Sequence, residues 1–151
     1  MTEDLEKHYK FMNIARSMAE NLSKDRSKKV GALFLDQDNR PLSWGYNGFP
    51  VGANDDVEER HTNKALKLLW SEHAERNAIY NATRSGTSLM GSKVYITTLP
   101  PCVDCARALV QVGVKQVYIE NDALSVSKWT VNWGMIQEMF NECGVEVFVL
   151  P

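Results

Sequence analysis

Cysteine is scarce in this chain of 151 residues, which contains three of them. A secreted domain held by disulfides needs cysteines in pairs, so the odd count argues against that class of protein. Cys102 and Cys105 form a C-x-x-C pair, which indicates metal binding or redox chemistry in a reducing compartment. Cys143 has no companion at such a spacing, and we predict that it is an inert buried thiol at the end of a helix.

A surplus of basic residues and long apolar runs are also absent. The chain has 17 Lys and Arg against 19 Asp and Glu, and its formal net charge of −2 does not favour nucleic-acid binding. No apolar run is long enough to cross a bilayer, and residues 1–4 are acidic without an apolar segment, so neither a membrane span nor a signal peptide is expected. We therefore expect a cytoplasmic protein whose residues 1–151 form one domain.

The hydrophobic periodicity predicts an N-terminal helix and a hairpin, followed by alternating helices and strands. Apolar residues recur at helical spacing over residues 3–22, and two short apolar runs flank a turn cluster at 36–41. A strand–helix–strand crossover requires parallel pairing, so we expect an α/β fold, a three-layer α/β/α sandwich with a mixed five-stranded sheet. The predicted strands are residues 30–35, 42–46, 94–98, 117–119 and 145–150; the later helices are 65–70, 72–82, 102–112 and 128–143, and 53–64 is an irregular loop.

Two short motifs carry the chemistry: H-A-E at residues 73–75 and P-C-V-D-C at residues 101–105. One histidine and two thiolates are ligands that zinc prefers, and they leave one tetrahedral position for water. The two cysteines are three residues apart at a predicted helix start, so both can face one point, where free amide N–H groups stabilise thiolates. Glu75 lies two residues beyond His73 and is placed to move the protons of that water. The pattern predicts a catalytic zinc site.

Other residues of the same types have simpler explanations. His8 and His61 have no partner at ligand spacing, and we predict surface positions for both. Five residues at helical spacing are predicted to be core or subunit interface: Trp129, Trp133, Met135, Ile136 and Met139. A purely structural zinc site is an alternative to a catalytic one. It would require a fourth protein ligand, and no free Cys or His stands at the right spacing.

Four segments resemble the cytidine-deaminase superfamily and, within it, the deoxycytidylate (dCMP) deaminases; together they cover about residues 23–118. The segments are Ser23-Lys24-Asp25 leading to Val30-Gly31-Ala32, then Gly45-Tyr46-Asn47-Gly48-Phe49-Pro50, then His73-Ala74-Glu75-Arg76-Asn77-Ala78-Ile79, then Tyr95-Ile96-Thr97 leading to Pro101-Cys102-x-x-Cys105. The last two occur across the superfamily, whose zinc signature is H-x-E…P-C-x-x-C, and specify only the chemistry. The first two point to a dCMP deaminase rather than to a free-base or tRNA enzyme.

The resemblance implies roles for individual residues. His73, Cys102 and Cys105 would bind one zinc ion per chain, and Glu75 would shuttle protons. Asn47 resembles the family's asparagine that contacts the sugar, while the Ala74 N–H and the Pro100 carbonyl would hold the pyrimidine edge. The connector residues Ser23 and Lys24, with Arg26, would meet the 5′-phosphate, because cations and N–H groups suit that charge.

Members of this family are commonly hexamers that dCTP activates and dTTP inhibits, so the resemblance also implies a homo-oligomer with these effectors. The candidate effector segment comprises Tyr46, Gly48, Asn54, Asp55 and Asp56. Two positions depart from the family pattern: Arg26 stands where many relatives have proline or a small residue, and Val51 where many have a polar or basic one. The cysteine-rich insert that holds a second zinc in some relatives is absent.

We therefore predict hydrolytic deamination of dCMP to dUMP and ammonia through a zinc-activated water, which would feed thymidylate synthesis. Deamination of another cytosine-type or 5-substituted deoxycytidylate stays open, as does a free base or nucleoside as substrate. A nucleic-acid-editing deaminase is disfavoured by the net charge of −2 and by the lack of a basic tail with interleaved aromatic residues. No nucleic-acid or membrane partner is expected.

Overall fold

The computed structural model describes residues 2–125 and 127–151. The elements are α1 (Thr2–Leu22), β1 (Gly31–Leu35), β2 (Pro41–Tyr46), α2 (Glu58–Thr62), α3 (Lys64–Trp70), α4 (Ala74–Ser85), β3 (Lys93–Ile96), α5 (Val103–Gln111), β4 (Gln116–Glu120), a 3₁₀ turn (Asn121–Ser125), α6 (Ser127–Thr130), α7 (Trp133–Glu142) and β5 (Glu146–Leu150). None of these helices is both long enough and apolar enough to cross a membrane.

The strands form one mixed sheet in the order β2-β1-β3-β4-β5. β1 is antiparallel to both β2 and β3, whereas β3, β4 and β5 run parallel. The hairpin connection explains the antiparallel edge, and the helical crossovers explain the parallel half. The predicted mixed five-stranded sheet is confirmed.

The core lies on both faces of the sheet, and β1 shows how the sequence builds it. Ala32 and Phe34 face one cluster of buried residues, to which α4, α5 and α7 contribute, while Leu33 and Leu35 face a second cluster beneath α1. Successive side chains of a strand point to opposite faces, so a fully apolar strand is buried on both sides. The predicted three-layer sandwich is confirmed, and among residues 2–125 and 127–151 α1 is the helix that covers the second face.

Helix α4 lies unusually close to the hairpin because β2 offers a glycine at the contact. A Cβ atom on Gly45 would lie 2.4 Å from the backbone nitrogen of Ala78 and 2.7 Å from the carbonyl oxygen of Ala74. Side chains of α4 also bond to the hairpin: Asn77 donates to the carbonyl oxygen of Tyr46 over 2.9 Å, and Asn81 donates to that of Trp44 over 2.8 Å. These contacts fix the position of the helix that begins at His73.

Two element predictions are wrong. Residues 58–62 of the predicted loop form α2. This helix buries none of its residues and is held by long-range contacts such as the ion pair between Arg26 and Glu58. Its sequence therefore has no apolar periodicity that would predict a helix. The predicted helix over 128–143 is two helices, α6 and α7, separated at residues 131 and 132. Val131 and Asn132 are weak helix formers, and Asn132 instead occupies the position before the first turn of α7.

Two side-chain predictions also need correction. Cys143 is exposed rather than buried, because the chain reverses at Gly144 (φ 75°) and Val145 enters the core instead. His8 and His61 are half-buried rather than on the surface; their rings lie 4.4 Å from Tyr118 and 5.0 Å from Phe49.

Of the five residues predicted to be core or subunit interface, Ile136 is buried and Trp133 and Met139 pack against the core. Trp129 and Met135 are exposed in the single chain, and their place in an interface stays a prediction.

Candidate active site

The histidine of the first motif lies where α4 begins. His73 precedes the first helical residue with extended backbone angles (φ −86°, ψ 152°), and its N–H donates to the Glu72 carboxylate over 2.9 Å. Its Nδ1 is 3.4 Å from the Sγ atoms of both Cys102 and Cys105. The imidazole therefore points at the two thiols of the second motif.

The cysteines lie at the start of α5, as the spacing predicts. Cys102 is the residue before the first turn, and its Sγ accepts from the N–H of Cys105 over 3.4 Å; Cys105 is fully buried. The ligand atoms of His73, Cys102 and Cys105 all lie within 4.8 Å of one another, the one such group of His, Cys, Asp and Glu found among the described residues. Two helix N-termini thus converge on this point.

The donor chemistry of the group fits zinc. A hydrogen bond between the two thiol side chains lowers the pKa of Cys102 to about 4 and raises the pKa of Cys105. The hydrogen bond to Cys102 raises the pKa of His73. A thiolate is therefore already favoured here, and two sulfur ligands with one imidazole nitrogen are typical of a zinc site that keeps one position open.

Glu75 is a buried acid in the first turn of α4, with 4% of its surface exposed. Desolvation is the main cause that raises the pKa of its carboxyl group. A carboxyl group with a raised pKa accepts a proton more readily than a solvated one, which suits general acid–base catalysis.

The two helix starts that carry the ligands are joined by an arginine that sequence reasoning missed. Arg76 binds the Glu72 carboxylate at 2.6 Å and approaches Asp104 at 3.6 Å. Glu72 also accepts the N–H of His73. The i,i+4 spacing of Glu72 and Arg76 is a signal that could have identified this pair, whereas the contact across to α5 has no local signal.

A cavity of about 190 Å³ opens beside these residues. The predicted substrate contacts Asn47, Ala74 and Pro100 line it, together with His73 and Glu75. The Ala74 N–H belongs to the first helical residue of α4, so it has no partner within the helix and is free to donate to a ligand. The structure therefore brings together the metal group, the acid and the predicted pyrimidine and sugar contacts.

The predicted phosphate contacts lie elsewhere. Ser23, Lys24 and Arg26 do not line this cavity. The ammonium group of Lys24 is 3.0 Å from the Asp55 carboxylate, and the guanidinium of Arg26 forms two hydrogen bonds to Glu58. Both cations therefore already form ion pairs with acids that lie far along the chain. No local sequence pattern could reveal these pairs.

The lysines that do line the cavity come from three separate parts of the chain. Lys28, Lys64 and Lys128 all border it, as does a fourth, Lys67, which is paired with Asp25 at 3.1 Å. Trp129, predicted to be core or interface, lies on the cavity wall next to Lys128, whose ammonium group is 4.9 Å from the centre of its ring. No motif marks these residues, because only the tertiary fold makes them neighbours.

The candidate effector segment lies beside the active-site cavity rather than in it. Gly48 and Asp55 border a small second cavity of about 20 Å³. Gly48 also exchanges two backbone hydrogen bonds with Glu72, at 3.1 and 2.7 Å. Tyr46, Asn54 and Asp56 line neither cavity; the Asn54 side chain accepts the N–H of Asp56 over 2.9 Å within the loop.

A His-Cys-Cys group at two helix starts, with a buried glutamate beside it and a mixed five-stranded sheet beneath, defines the class of zinc-dependent deaminases. The chain belongs to the family described as the cytidine and deoxycytidylate deaminase zinc-binding region, whose model matches residues 5–121. Zinc is the cofactor of that family.

Known relatives agree with this assignment. The chain is 44% identical over 124 residues to a probable deoxycytidylate deaminase of Caenorhabditis elegans, covering 78% of this chain and 59% of that protein. It is 39% identical over 132 residues to an uncharacterized deaminase of Aliivibrio fischeri, covering 85% and 84%. The chain thus spans about three fifths of the length of the first of these relatives.

Among solved structures, the chain is similar to the dCMP deaminase of cyanophage S-TIM5 in complex with dCMP and dUMP. The two superpose with a TM-score of 0.71 at 29% sequence identity, covering 95% of this chain and 96% of that one. The similarity therefore covers nearly the whole chain and not only the metal motifs.

Proposed function

We propose that this protein deaminates dCMP to dUMP and ammonia. The observation that carries the proposal is the convergence of His73, Cys102 and Cys105 beside the buried carboxyl group of Glu75 on one cavity wall. Relatives named deoxycytidylate deaminase, and a similar structure that binds dCMP and dUMP, support this substrate. The product is the precursor of thymidylate.

Zinc held by His73, Cys102 and Cys105 would supply a Lewis acid that makes a water molecule acidic enough to act as a nucleophile. Glu75 takes one proton from that water and delivers it to the ring nitrogen N3, while the water oxygen adds to C4 of the cytosine and the C4–N3 double bond becomes single. Glu75 then transfers the second proton of the same oxygen to the amino nitrogen. The bond from C4 to that nitrogen breaks, ammonia leaves, and a C4 carbonyl remains.

The other predicted contacts orient the base and the sugar. The Ala74 N–H donates to the pyrimidine O2, and the Pro100 carbonyl accepts from the amino group at C4. Asn47 contacts the sugar through the second N–H of its side-chain amide, the one that does not donate to the carbonyl oxygen of Lys28. Each of these residues borders the cavity, which supports the assignment.

The test is Glu75→Gln, which removes the proton shuttle and keeps the side-chain volume. Ammonia release from dCMP should fall about 100-fold to 10,000-fold, while zinc content measured by atomic emission stays the same. Glu138→Gln on the exposed side of α7 is the matched control and should retain full turnover. A Glu75→Gln enzyme as active as wild type would refute the assigned role.

The same assay on a panel of substrates decides between dCMP and its analogues. The panel contains dCMP, 5-substituted dCMP, CMP, deoxycytidine, dCTP and cytosine. We expect dCMP to have the highest kcat/KM, and a 5-substituted deoxycytidylate that exceeded it would replace it as the substrate.

We also propose that the protein forms a homo-oligomer, a hexamer by resemblance to its family. Its effectors would be dCTP and dTTP, bound at the segment containing Gly48 and Asp55. It would act in the cytoplasm, where its thiolate ligands stay reduced. Sedimentation velocity measures the oligomer. Adding dCTP or dTTP to the dCMP assay tests regulation, and a rate unchanged by either nucleotide would reject the effectors.

A further inference from the structure

Three lysines line the active-site cavity and have no acidic partner in an ion pair among the side chains that the structure describes, those of residues 4–125 and 128–151. Lys28 lies in the connector between α1 and β1, Lys64 is the first residue of α3, and Lys128 lies in α6. Lys64 and Lys128 are exposed, so they mark the side of the cavity that is open to solvent.

Lys28, Lys64 and Lys128 border the same cavity, and two of them act on the third. Contact with Lys64 and repulsion from its charge are the main causes that lower the pKa of Lys128, and the charge of Lys28 adds to the effect. Like charges held together cost free energy in the absence of an anion. A cavity wall with these three lysines therefore favours a ligand with more than one negative charge.

Two of the three acids that line the same cavity are already paired, and the third, Glu75, is the buried acid beside the metal group. Asp25 accepts the N–H groups of Ser27 and Lys28 and pairs with Lys67. Glu72 binds Arg76 and the N–H of His73. These acids hold the local backbone in place, including the backbone of Lys28, and leave the charge of the three lysines uncompensated.

We infer that Lys28, Lys64 and Lys128 bind the 5′-phosphate of the nucleotide and make the enzyme prefer a nucleotide to a nucleoside. The inference rests on the proposed function and assigns the phosphate to a different place from Lys24 and Arg26. A phosphate dianion would take hydrogen bonds from ammonium groups at the open side of the cavity, while the pyrimidine reaches the buried end at His73 and Glu75.

Steady-state kinetics with dCMP and deoxycytidine test the assignment, because the two substrates differ only in the phosphate. The variants are Lys64→Ala, Lys128→Ala and Lys28→Ala, with Lys24→Ala and Arg26→Ala as the competing set. Lys115→Ala is the matched control: Lys115 is exposed and precedes β4, at the end of the parallel strands opposite the metal group.

Replacing any one of the three cavity lysines with alanine should raise the KM for dCMP about tenfold and change kcat little. The kcat/KM for deoxycytidine should not change in any of the three variants. Inorganic phosphate should inhibit the wild type competitively against dCMP, and it should inhibit a Lys64→Ala and Lys128→Ala double variant less.

Two results would overturn the inference. One is a selective rise in KM for dCMP in Lys24→Ala or Arg26→Ala but not in the cavity variants. The other is an equal loss with both substrates, which would indicate a structural role. If the wild type deaminated neither substrate, the proposed function would fail instead, and calorimetric binding of dCMP to the wild type and the double variant would still decide the phosphate contact.

Discussion

Ser23, which the sequence predicts to contact the 5′-phosphate, forms hydrogen bonds within the protein. Its hydroxyl is buried and donates toward the carbonyl and side-chain oxygens of Asn47, each at 2.9 Å. Asn47 in turn accepts the N–H of Val30 and donates to the carbonyl oxygen of Lys28. The two residues therefore tie the connector to the end of β2, and this link positions Lys28 at the cavity.

His8 should make stability depend on pH. Burial is the main cause that lowers its pKa below the usual 6.5, with Lys93 and Lys7 adding and Asp4 opposing; its Nδ1 bonds the Tyr95 hydroxyl over 2.7 Å. A lowered pKa means that the unfolded chain binds the proton at a higher pH than the folded chain does. The contribution of His8 to the free energy of unfolding is therefore constant above pH 6.5 and falls as the pH drops below it.

Urea unfolding of the zinc-loaded protein between pH 5 and 7 measures this dependence. His8→Gln can still bond the Tyr95 hydroxyl but does not titrate, so its unfolding free energy should fall less steeply below pH 6.5 than that of the wild type. Equal slopes for the two proteins would show that His8 does not contribute.

At the scale of the element, the site depends on where two helices begin. α4 starts after His73 and α5 starts after Cys102, so a ligand side chain and unpaired N–H groups occur together at each start. The positive end of each helix dipole also favours thiolates. Short sequence motifs encode these starts, but the packing of α4 against β2 determines the distance between them.

Gly45→Ala should therefore displace residues of the active site, although Gly45 is not one of them. The new Cβ would lie 2.4 Å from the backbone nitrogen of Ala78, so α4 must move away from β2 and take His73 and Glu75 with it. We expect a loss of stability of about 1–3 kcal/mol, weaker zinc binding and a lower kcat. Denaturant unfolding and zinc titration measure the first two effects.

Gly134→Ala is the control for this substitution. Gly134 lies within α7, and a Cβ atom there meets no atom within 4 Å. Alanine is the better helix former, so this change should stabilise the protein by about 0.5–1 kcal/mol and leave activity unchanged. A Gly45→Ala protein that behaved like Gly134→Ala would show that the close approach is not required.

At the scale of the whole molecule, the core and the metal group are separate sources of stability. Buried apolar residues cover both faces of the sheet, whereas the metal group lies at one end, after β3. A catalytic zinc site of this kind does not hold the fold together alone, unlike the closed sites of small zinc domains.

Removal of zinc by a chelator should abolish deaminase activity and leave the far-ultraviolet circular dichroism almost unchanged. The loss of the bound ion should lower the free energy of unfolding by about 3 kcal/mol at a free zinc concentration 100 times the Kd. Added zinc should restore activity. Collapse of the fold on chelation, together with no activity in the zinc-loaded protein, would indicate a structural zinc instead.

A pair of cysteine variants separates the metal ligands from the remaining thiol. Cys105→Ser should lose zinc and activity, because Cys105 is buried in the metal group. Cys143→Ser should retain both, since Cys143 is an exposed free thiol at the end of α7.

The sequence by itself determined the mixed sheet and most of its helices, and its motifs indicated the metal group and the proposed reaction. The apolar strands, the helix ends at glycines such as Gly86 and Gly144, and the H-A-E and P-C-V-D-C motifs are each written within a few residues, so local physics is enough to identify them. The alternating order of helices and strands then restricts the topology to a mixed sheet.

Only the tertiary structure decided which charges surround the cavity. Lys24 and Arg26 looked free in the sequence but pair with Asp55 and Glu58, while Lys28, Lys64 and Lys128 come together from distant segments. A salt bridge or a shared cavity depends on the packing of elements that are far apart in the chain. No local pattern records that packing, so the motifs indicate the reaction, whereas only the tertiary structure shows which lysines border the cavity.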